Sequence, residues 1–386
     1  MTRPDGAPGL YIHVPFCASR CPYCDFYSHC DKALLPAYVN AVCDELSTLR
    51  RTAGAVSVSG VKDRGAASVY FGGGTPSLLT GEQVGSILRT VREQFALLPE
   101  AEITLEANPS LPEPERFFTE IAAAGVNRVS LGLQSAVESE RRALGRRSGK
   151  AEILRCVAAA KTAGITNISL DVMLGIPGQT EQSLRETLDF VIESGAPHVS
   201  AYLLKIEPGT VFYKKRETLD LPDEDAAADM YIFTCDYLQK NGFRHYEISN
   251  FCKNGLVGRH NLAYWQDKEY LGFGPGAHGF LGGVRYRQPP EIDGFLHGAP
   301  CEKTDTGGDA EEAFLLAMRL DTGIDPEAFS GAYGARFLPG FDEKVQLFKG
   351  RGLLTAQNGT VALTDAGMLL SNAVIAELLA QIETIN

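Results

Sequence analysis

The first two-thirds of the chain alternates short apolar runs with longer amphipathic stretches. Six runs have the length and the apolar or β-branched content of strands, at 10–16, 67–71, 102–106, 128–133, 167–173 and 198–204. Between them hydrophobic residues recur with the period of a helix, at 34–49, 80–95, 112–124, 149–163, 180–194 and 223–241. Repeated strand–helix units form parallel sheets with helices outside. Because eight such units close a TIM barrel, these six predict an α/β fold with an incomplete (β/α)6 TIM-like barrel.

The pattern changes in the last third. Residues 243–300 are irregular and rich in Gly, His and Tyr, and a polar stretch at 301–309 suggests a boundary. Beyond it, helices fit 310–319, 325–330, 341–349 and 365–382, and a hairpin turns at Asn358-Gly359. We therefore predict a barrel (1–242), a β and loop extension packed on it (243–305) and a small C-terminal α+β domain of winged-helix type (306–386).

Composition and charge narrow the classes of function. Hydrophobic residues make up 44% of the 386 residues, which is enough for a substantial core. The net charge of −12 argues against a nucleic-acid partner, so the C-terminal domain is predicted to be a scaffold or docking unit. No apolar run reaches the ~18 residues of a membrane span, and the N-terminus lacks the pattern of a signal peptide. A cytoplasmic protein is expected.

Every predicted strand is followed by polar or glycine residues. The carboxyl ends of parallel barrel strands lie on one face, where the active sites of such barrels are found. The sequence therefore predicts one shared site. Its contributions, strand by strand, are the loop 17–24, the Gly72-Gly73-Gly74-Thr75-Pro76 stretch, Glu106, Gln134, Asp171 and Lys205.

Three cysteines in the first of these loops are the strongest chemical signal. Cys17, Cys21 and Cys24 have CxxxCxxC spacing, which in a reducing compartment indicates a metal site rather than disulfides. Three thiolates can hold three irons of a 4Fe-4S cluster and leave the fourth iron open for a ligand. Two alternatives stay open: a zinc site completed by His29, and Cys30 as a fourth ligand.

The flanks of this loop resemble a known family. Residues 11–16 (YIHVPF) before it and Asp25-Phe26 after it are similar to the radical S-adenosylmethionine (SAM) superfamily, and within it to the oxygen-independent coproporphyrinogen oxidase branch. The resemblance implies that the open iron chelates the amino and carboxylate groups of SAM. It also implies that an electron from the cluster splits SAM to give a 5′-deoxyadenosyl radical.

Several residues match the SAM-contacting positions of that family. The glycine stretch is expected to meet the amino group of SAM, Arg146 its carboxylate and a strand-end carboxylate its ribose, while Tyr23 shields the cluster from water. Ser148 departs from the pattern, which often has His two residues after the arginine. The full set that the resemblance implies is Tyr11, Tyr23, Gly73, Gly74, Thr75, Glu106, Gln134, Arg146, Asp171 and Lys205.

A histidine-led aromatic motif lies near the end of the barrel. Residues 260–265 read HNLAYW, and this HNxxYW pattern resembles the haem-chaperone subgroup of the branch. Imidazole ligates haem iron, so His260 is the candidate haem ligand, with His13 and His245 as competitors. Gly272, Gly274, Gly276 and His278 follow the motif and suit an adaptable wall beside such a ligand. A hydrogen-bonded histidine in a packed loop is the alternative interpretation of His260.

The resemblance favours a haem chaperone that binds haem as cargo and delivers it to haem-dependent respiratory proteins, with an unidentified electron donor. Three observations support this choice: Asp25-Phe26 instead of a fourth cysteine, the short stretch before Cys17, and the HNxxYW motif. The alternatives are a coproporphyrinogen III oxidase, which removes two propionate carboxyls, and a non-catalytic iron–sulfur docking protein. A homodimer is compatible with three thiolates.

Overall fold

Six parallel strands form the partial barrel in the computed structural model, which describes residues 6–384. Each strand pairs in parallel with the next in chain order. The strands are β1 (Gly9–Val14), β2 (Ala66–Gly73), β3 (Leu97–Ala107), β4 (Arg128–Gln134), β5 (Asn167–Leu174) and β6 (His198–Leu203). The predicted sixfold strand–helix repeat is therefore confirmed.

Helices follow each of these strands. They are α1 (Leu35–Thr48), α2 (Arg50–Ala53), α3 (Gly81–Gln94), α4 (Pro114–Ala124), α5 (Glu138–Ala143), α6 (Lys150–Thr162), α7 (Glu181–Ser194), α8 (Val211–Lys215) and α9 (Glu224–Lys240). Helix α3 shows why they form. Thr80 caps its N-terminus by accepting a hydrogen bond from the Gln83 N–H, and the side chains of Val84, Ile87 and Val91 share one fully buried face. Burial of each such side chain contributes about 1.5–3 kcal/mol.

The next segment extends the barrel sheet at both edges. It comprises β7 (Arg244–Glu247), β8 (Asn250–Cys252), α10 (Arg259–Trp265), β9 (Tyr270–Phe273), β10 (His278–Leu281), β11 (Val284–Arg287), α11 (Ile292–Leu296) and β12 (Glu302–Thr306). The order of the sheet is β12-β11-β10-β9-β1-β2-β3-β4-β5-β6-β8-β7, in which β9 runs parallel to β1. The segment thus joins the sheet instead of only packing on the barrel, and β12 crosses the predicted boundary at 305.

The C-terminal part combines helices with two strand pairs. It contains α12 (Ala310–Ala317), α13 (Pro326–Tyr333), β13 (Ala335–Phe337), α14 (Pro339–Gly350), β14 (Leu354–Gln357), β15 (Thr360–Leu363), α15 (Asp365–Leu369), α16 (Ser371–Leu379) and β16 (Ile382–Thr384). The predicted hairpin is β14–β15, with positive φ at both Asn358 and Gly359.

The prediction of one final helix over 365–382 is wrong. The backbone leaves helical geometry at Leu370, so α15 and α16 are separate helices. This break lets α16 bury Val374, Ile375 and Leu378 in the core, and the chain beyond it pairs with β13 as a strand. None of the helices within residues 6–384 is long and apolar enough to cross a membrane.

A charged contact joins the C-terminal part to the barrel. The Asp365 carboxylate, at the start of α15, lies 2.7 Å from His245 Nδ1 and accepts a hydrogen bond from Gln239 Nε2 at 2.8 Å. The hydrogen bond with His245 lowers the pKa of Asp365 below its usual value. Such a contact stabilises the packing of α15 on α9 and β7.

We expect Asp365→Asn to lower the free energy of unfolding by about 1–2 kcal/mol at pH 7, because it removes the charged acceptor. A carboxyl with a lowered folded-state pKa stabilises above its unfolded pKa, near 4, and loses that effect as the pH falls. The difference between variant and wild type should therefore shrink below about pH 4 in urea titrations. Glu377→Gln, at an exposed ion pair with Lys344, is the matched control and should leave the midpoint unchanged.

Candidate functional site

The cysteine loop follows β1 at the carboxyl end of the barrel. Its ends are held together because the Cys17 N–H donates to the His29 carbonyl at 3.1 Å and the His29 N–H donates to the Pro15 carbonyl at 2.6 Å. Within the loop the Cys24 N–H donates to the Cys21 carbonyl at 3.2 Å. This folding brings the three predicted cysteines together as free, partly buried thiols.

Burial raises the pKa of the Cys24 thiol, and the neighbouring Cys21 and Cys17 sulfurs raise it further. A cation that binds all three sulfurs as thiolates would offset this effect at Cys24. The two alternative ligands differ from this group. Cys30 is exposed, and His29 Nδ1 already accepts the Asp31 N–H at 3.1 Å.

The triple glycine lies directly beside the cysteine loop. A Cβ on Gly74 would be 2.7 Å from the Phe16 carbonyl oxygen, and one on Gly73 would be 2.5 Å from the His13 ring. Gly73 also has a φ of 107°, which strongly favours glycine. The close approach places the Thr75 hydroxyl 3.5 Å from the Cys17 sulfur. The structure therefore brings the predicted glycines to the predicted cysteines.

Two carboxylates face the barrel interior from neighbouring regions of the sheet. The Tyr70 hydroxyl donates to Glu106 Oε1 at 2.8 Å, and the Ser130 hydroxyl donates to Asp171 Oδ1 at 2.8 Å. Burial raises the pKa of Glu106 to about 7, with a further contribution from Asp171, and burial raises the pKa of Asp171 to about 6. Acceptors that are this poorly solvated suit the ammonium and hydroxyl groups of a ligand.

A cation, Arg146, lies near one of these carboxylates, Asp171. The Arg146 guanidinium packs against Gly132, where a Cβ would be only 2.3 Å from it. Within residues 6–384 this guanidinium has no hydrogen-bond or ion-pair partner. Burial opposes its charge, but nearby Tyr23, Cys21 and further acidic groups give a net increase of its pKa. A largely enclosed cation without a partner fits the carboxylate of a bound ligand.

Gln134 and Tyr23 complete this wall. Gln134 has a φ of 65°, a strained conformation that is typical of functional sites, and its Oε1 accepts the Tyr202 hydroxyl at 3.1 Å. Tyr23 is largely buried, with its ring centroid 6.2 Å from that of Phe212. Tyr11 stacks on Tyr70 with 6.1 Å between the ring centroids. These contacts are compatible with the predicted shielding of the cluster by Tyr23.

Lys205 differs from the other predicted SAM residues. Its side chain is 82% exposed and pairs with Glu207 at 2.5 Å, outside the enclosed group. Sequence reasoning missed three residues that the structure adds to the interior wall, Tyr70, Ser130 and Tyr202. All three lie on predicted strands, so alternation of inward-facing side chains was the signal that could have identified them.

The environment of His260 differs from that expected of a haem ligand. Its Nδ1 lies 2.8 Å from the Ser68 hydroxyl, its Nε2 lies 2.7 Å from the Tyr264 hydroxyl, and its ring stacks on Tyr70. Burial lowers its pKa to about 3. Because both ring nitrogens are hydrogen-bonded inside the protein, iron ligation by His260 would require one bond to break. The alternative interpretation of His260, a hydrogen-bonded histidine in a packed loop, therefore describes this arrangement.

The two competing histidines are also engaged. His13 Nδ1 lies 3.1 Å from the Tyr11 hydroxyl, and His13 Nε2 lies 3.1 Å from the Tyr27 carbonyl oxygen. His245 is buried against Phe251 and bonded to Asp365. No predicted haem ligand therefore presents a ring nitrogen to solvent in this conformation.

The site fits the cofactors that the resemblance implies. It offers three free thiols on one loop, a glycine stretch packed closely against that loop, and a guanidinium together with two buried carboxylates in the barrel interior. The first two match a 4Fe-4S cluster with an open iron, and the last matches the charged groups of SAM.

Comparisons with known proteins agree with this geometry. Residues 11–191 match the family model described as Radical SAM superfamily, and residues 309–370 match the HemN C-terminal domain. The solved structure of coproporphyrinogen III oxidase from Escherichia coli superposes with a TM-score of 0.81 over 97% of this chain and 91% of that chain, at 21% sequence identity. Fold and site thus define a radical SAM protein with a partial barrel and a C-terminal domain.

Full-length relatives narrow this class. The protein named Heme chaperone HemW from Mycobacterium tuberculosis is 37% identical, over 96% of this chain and 94% of its own length. The proteins of that name from Lactococcus lactis and Escherichia coli are 33% and 34% identical, each over 98% of its own length. The chain belongs to the HemW family.

Replacement of any one of Cys17, Cys21 and Cys24 by Ser is expected to abolish cluster assembly, because each thiolate holds one iron. Anaerobic reconstitution with iron and sulfide, followed by iron counting and visible absorbance, measures this. Cys30→Ser is the matched control, since Cys30 lies six residues beyond Cys24 and is exposed. Equal loss of iron in Cys30→Ser would instead identify a fourth thiolate ligand.

Glu106→Gln is expected to raise the free energy of unfolding of the cofactor-free protein by about 2–3 kcal/mol at pH 8. The folded state holds a proton on Glu106 up to about pH 7, whereas the unfolded chain releases it near 4.5. Wild-type stability therefore falls as the pH rises through that window, and the variant escapes this loss. Denaturant titrations at pH 5 and pH 8 test it, with exposed Glu138→Gln as control; an equal gain at both pH values would contradict it.

Proposed function

We propose that this chain is a haem chaperone, which binds haem as cargo and delivers it to haem-dependent respiratory proteins. The observation that carries the proposal is the combination of a three-cysteine site with full-length similarity to proteins named Heme chaperone HemW. The acidic C-terminal part is proposed as a scaffold or docking unit. A cytoplasmic location belongs to the same proposal.

The residues of the site have distinct proposed roles. Cys17, Cys21 and Cys24 hold a 4Fe-4S cluster, which supplies a single electron and an open iron position. Arg146 binds the carboxylate of SAM, and the Gly73, Gly74 and Thr75 backbone lies beside its amino group. The remaining SAM contacts are proposed at Tyr11, Tyr23, Glu106, Gln134 and Asp171, while exposed Lys205 has the weakest structural support.

Two kinds of contact make this site selective for a charged ligand. Glu106 and Asp171 can accept hydrogen bonds from the hydroxyl and ammonium groups of a ligand. Such donors favour the ionised form of each carboxylate over its protonated form. Arg146 gains a partner that its surroundings do not provide. A bound ligand therefore adds compensation to each enclosed charge, which couples ligand binding to a gain in stability.

The oxidase alternative has weaker support. The likeness to the solved oxidase is at 21% identity and concerns the fold, which does not determine the reaction. Asp25 and Phe26 follow the third cysteine where the oxidase pattern has another cysteine. A docking protein without chemistry is disfavoured by the strained Gln134 and the unpaired Arg146, since neither is needed for a merely structural cluster.

We expect the anaerobically reconstituted full chain to bind ferric haem with a stoichiometry near one and to pass it to a haem-free respiratory cytochrome. Stopped-flow absorbance measures the transfer. Transfer to the cytochrome should be faster than loss to excess apomyoglobin, because a chaperone transfers within a complex whereas a scavenger waits for dissociation. The same proposal includes an electron donor for the cluster, which reduction assays check. It also includes a homodimer, which light scattering checks.

A parallel assay separates the alternatives. Incubation of the reduced, SAM-loaded protein with coproporphyrinogen III should give no decarboxylated product. Sustained turnover in that assay would sink the chaperone proposal in favour of the oxidase. Failure to bind either haem or coproporphyrinogen, with the cluster intact, would leave the docking alternative.

A further inference from the structure

A cavity of about 540 Å³ lies next to the cysteine loop. Three parts of the chain line it: β1 with the loop that follows, the end of α10 with β9, and the β10–β11 hairpin with α12. Tyr11 and His13 form the wall nearest the triple glycine, since a Cβ on Gly72 or Gly73 would meet these two rings. The cavity is therefore a neighbour of the SAM site and shares the Tyr11 and His13 wall with it, while its other walls come from later parts of the chain.

The walls suit a large, flat, apolar ring system. Six of the lining residues are aromatic: Tyr11, Phe26, Tyr27, Tyr264, Tyr270 and Phe280. Phe26 is 60% exposed, more than any other large hydrophobic side chain within residues 6–384, and it lies at the cavity wall. Aromatic walls and an uncovered phenyl ring are the features that a macrocycle would contact and shield from water.

One histidine in this cavity differs from every other in the chain. The protein has seven histidines, and six of them have a ring nitrogen within hydrogen-bond distance of another group: His13, His29, His198, His245, His260 and His297. His278 lines the cavity, is exposed, and has no such partner for either ring nitrogen within residues 6–384. His13, the other histidine that lines the cavity, is hydrogen-bonded at both ring nitrogens, so His278 is the one that can bind a metal ion there without breaking an existing bond.

The strand pairing explains how His278 reaches the cavity. His278 and Phe280 are two residues apart on β10, so their side chains lie on the same face of the strand. Phe280 is paired with Arg285 of β11. Burial, with the nearby charge of Arg287, lowers the pKa of His278, which keeps the imidazole in the neutral form that binds iron. The β10–β11 hairpin therefore presents a neutral imidazole between aromatic side chains.

The cavity also offers one cation that is not compensated. Arg285 is paired with Glu312 and lies 3.8 Å from Asp305, so its charge is largely neutralised. Lys268 is exposed and has no ion-pair partner within the described part of the chain. An ammonium group at the rim of an aromatic cavity is suited to a carboxylate on the edge of the ring system.

We infer that this cavity holds the haem cargo, with His278 as an axial ligand of the iron and Lys268 next to a propionate. The inference rests on the proposed haem function and assigns its site. It differs from the expectation that His260 of the HNxxYW motif is the ligand. His260 instead supports the cavity wall, because its Nε2 is bonded to Tyr264, which lines the cavity.

Titration of the full chain with ferric haem, followed in the Soret region and by resonance Raman spectroscopy, tests the site. His278→Ala is expected to weaken binding at least about tenfold and to change the spectrum to one without the imidazole nitrogen. Added free imidazole should restore the wild-type spectrum, which a merely structural defect would not allow. His297→Ala removes a well-exposed histidine outside the cavity and should behave as wild type.

Lys268→Gln tests the propionate contact separately. It should weaken haem binding about two- to fivefold, as expected for an exposed ion pair. The dimethyl ester of haem lacks the carboxylate charges, so wild type and variant should bind this probe equally. Phe26→Ala should weaken both probes, and circular dichroism confirms that this exposed position does not affect folding.

The outcomes distinguish the site from the function. If wild type binds haem and His278→Ala keeps both affinity and spectrum, the site assignment is overturned and the haem function stands. The assignment also falls if His260→Ala, folded as wild type, removes the nitrogen signal while His278→Ala keeps it. If wild type binds no haem, the proposed function fails and the site fails with it.

Discussion

The whole arrangement depends on β1 pairing in parallel with a strand on each side. On one edge Val14 is in register with Gly73 of β2, and on the other Ile12 is in register with Phe273 of β9. The first pairing sets the cysteine loop against the triple glycine. The second brings a segment from more than 250 residues later to the far edge of the same strand. Without both pairings neither the cofactor site nor the cavity would have two walls.

His13 shows how tightly β1 is held. Its carbonyl accepts the Tyr38 hydroxyl at 2.7 Å, and a Cβ on Gly274 would be 2.3 Å from the same oxygen. Its ring covers Gly73 and is bonded on both nitrogens. Only glycine permits backbone approach from both neighbouring strands at once. Close packing around His13 therefore explains why glycines lie at the ends of both β2 and β9.

The interior of the barrel accepts an electrostatic cost that a purely structural core would avoid. Glu106 and Asp171 have raised pKa values because burial disfavours their charge, and the buried Arg146 guanidinium has no hydrogen-bond or ion-pair partner within residues 6–384. Buried charges without compensation destabilise a fold by several kcal/mol in the limit, about the size of its net stability. Such groups persist where a ligand compensates them, so the cost itself is evidence for a binding site.

The sequence predicted the local features of this protein better than the distant ones. The six barrel strands and the capped helices could be predicted because each depends on neighbouring residues. The pairing of β9 with β1 could not, since four-residue strands among glycines carry little periodicity and their partner is far away in the chain. The break at Leu370 was missed for a related reason, because it depends on how α16 packs against the core.

The same distinction applies to the site residues. Cys17, Cys21 and Cys24 were identified through their spacing, and the glycines through their place after a predicted strand and the family resemblance, all of which depend on local sequence. Whether a histidine is free or engaged depends on partners such as Ser68, which lies 192 residues before His260. The HNxxYW motif therefore indicated an important region but not which histidine has a ring nitrogen without a hydrogen-bond partner. His278 could be singled out only after the structure showed that every other histidine ring is hydrogen-bonded.

The position of Tyr11 and His13 gives the two ligand sites a common boundary. Their rings face the glycine stretch on one side and line the cavity on the other, and His13 is bonded to the Tyr27 carbonyl just beyond the cysteine loop. A ring that moved to admit a ligand on one side would change the wall of the other. Because packed interiors shift between discrete arrangements instead of deforming smoothly, a shared wall of two bonded rings is a physical route by which occupancy of either site could affect the other.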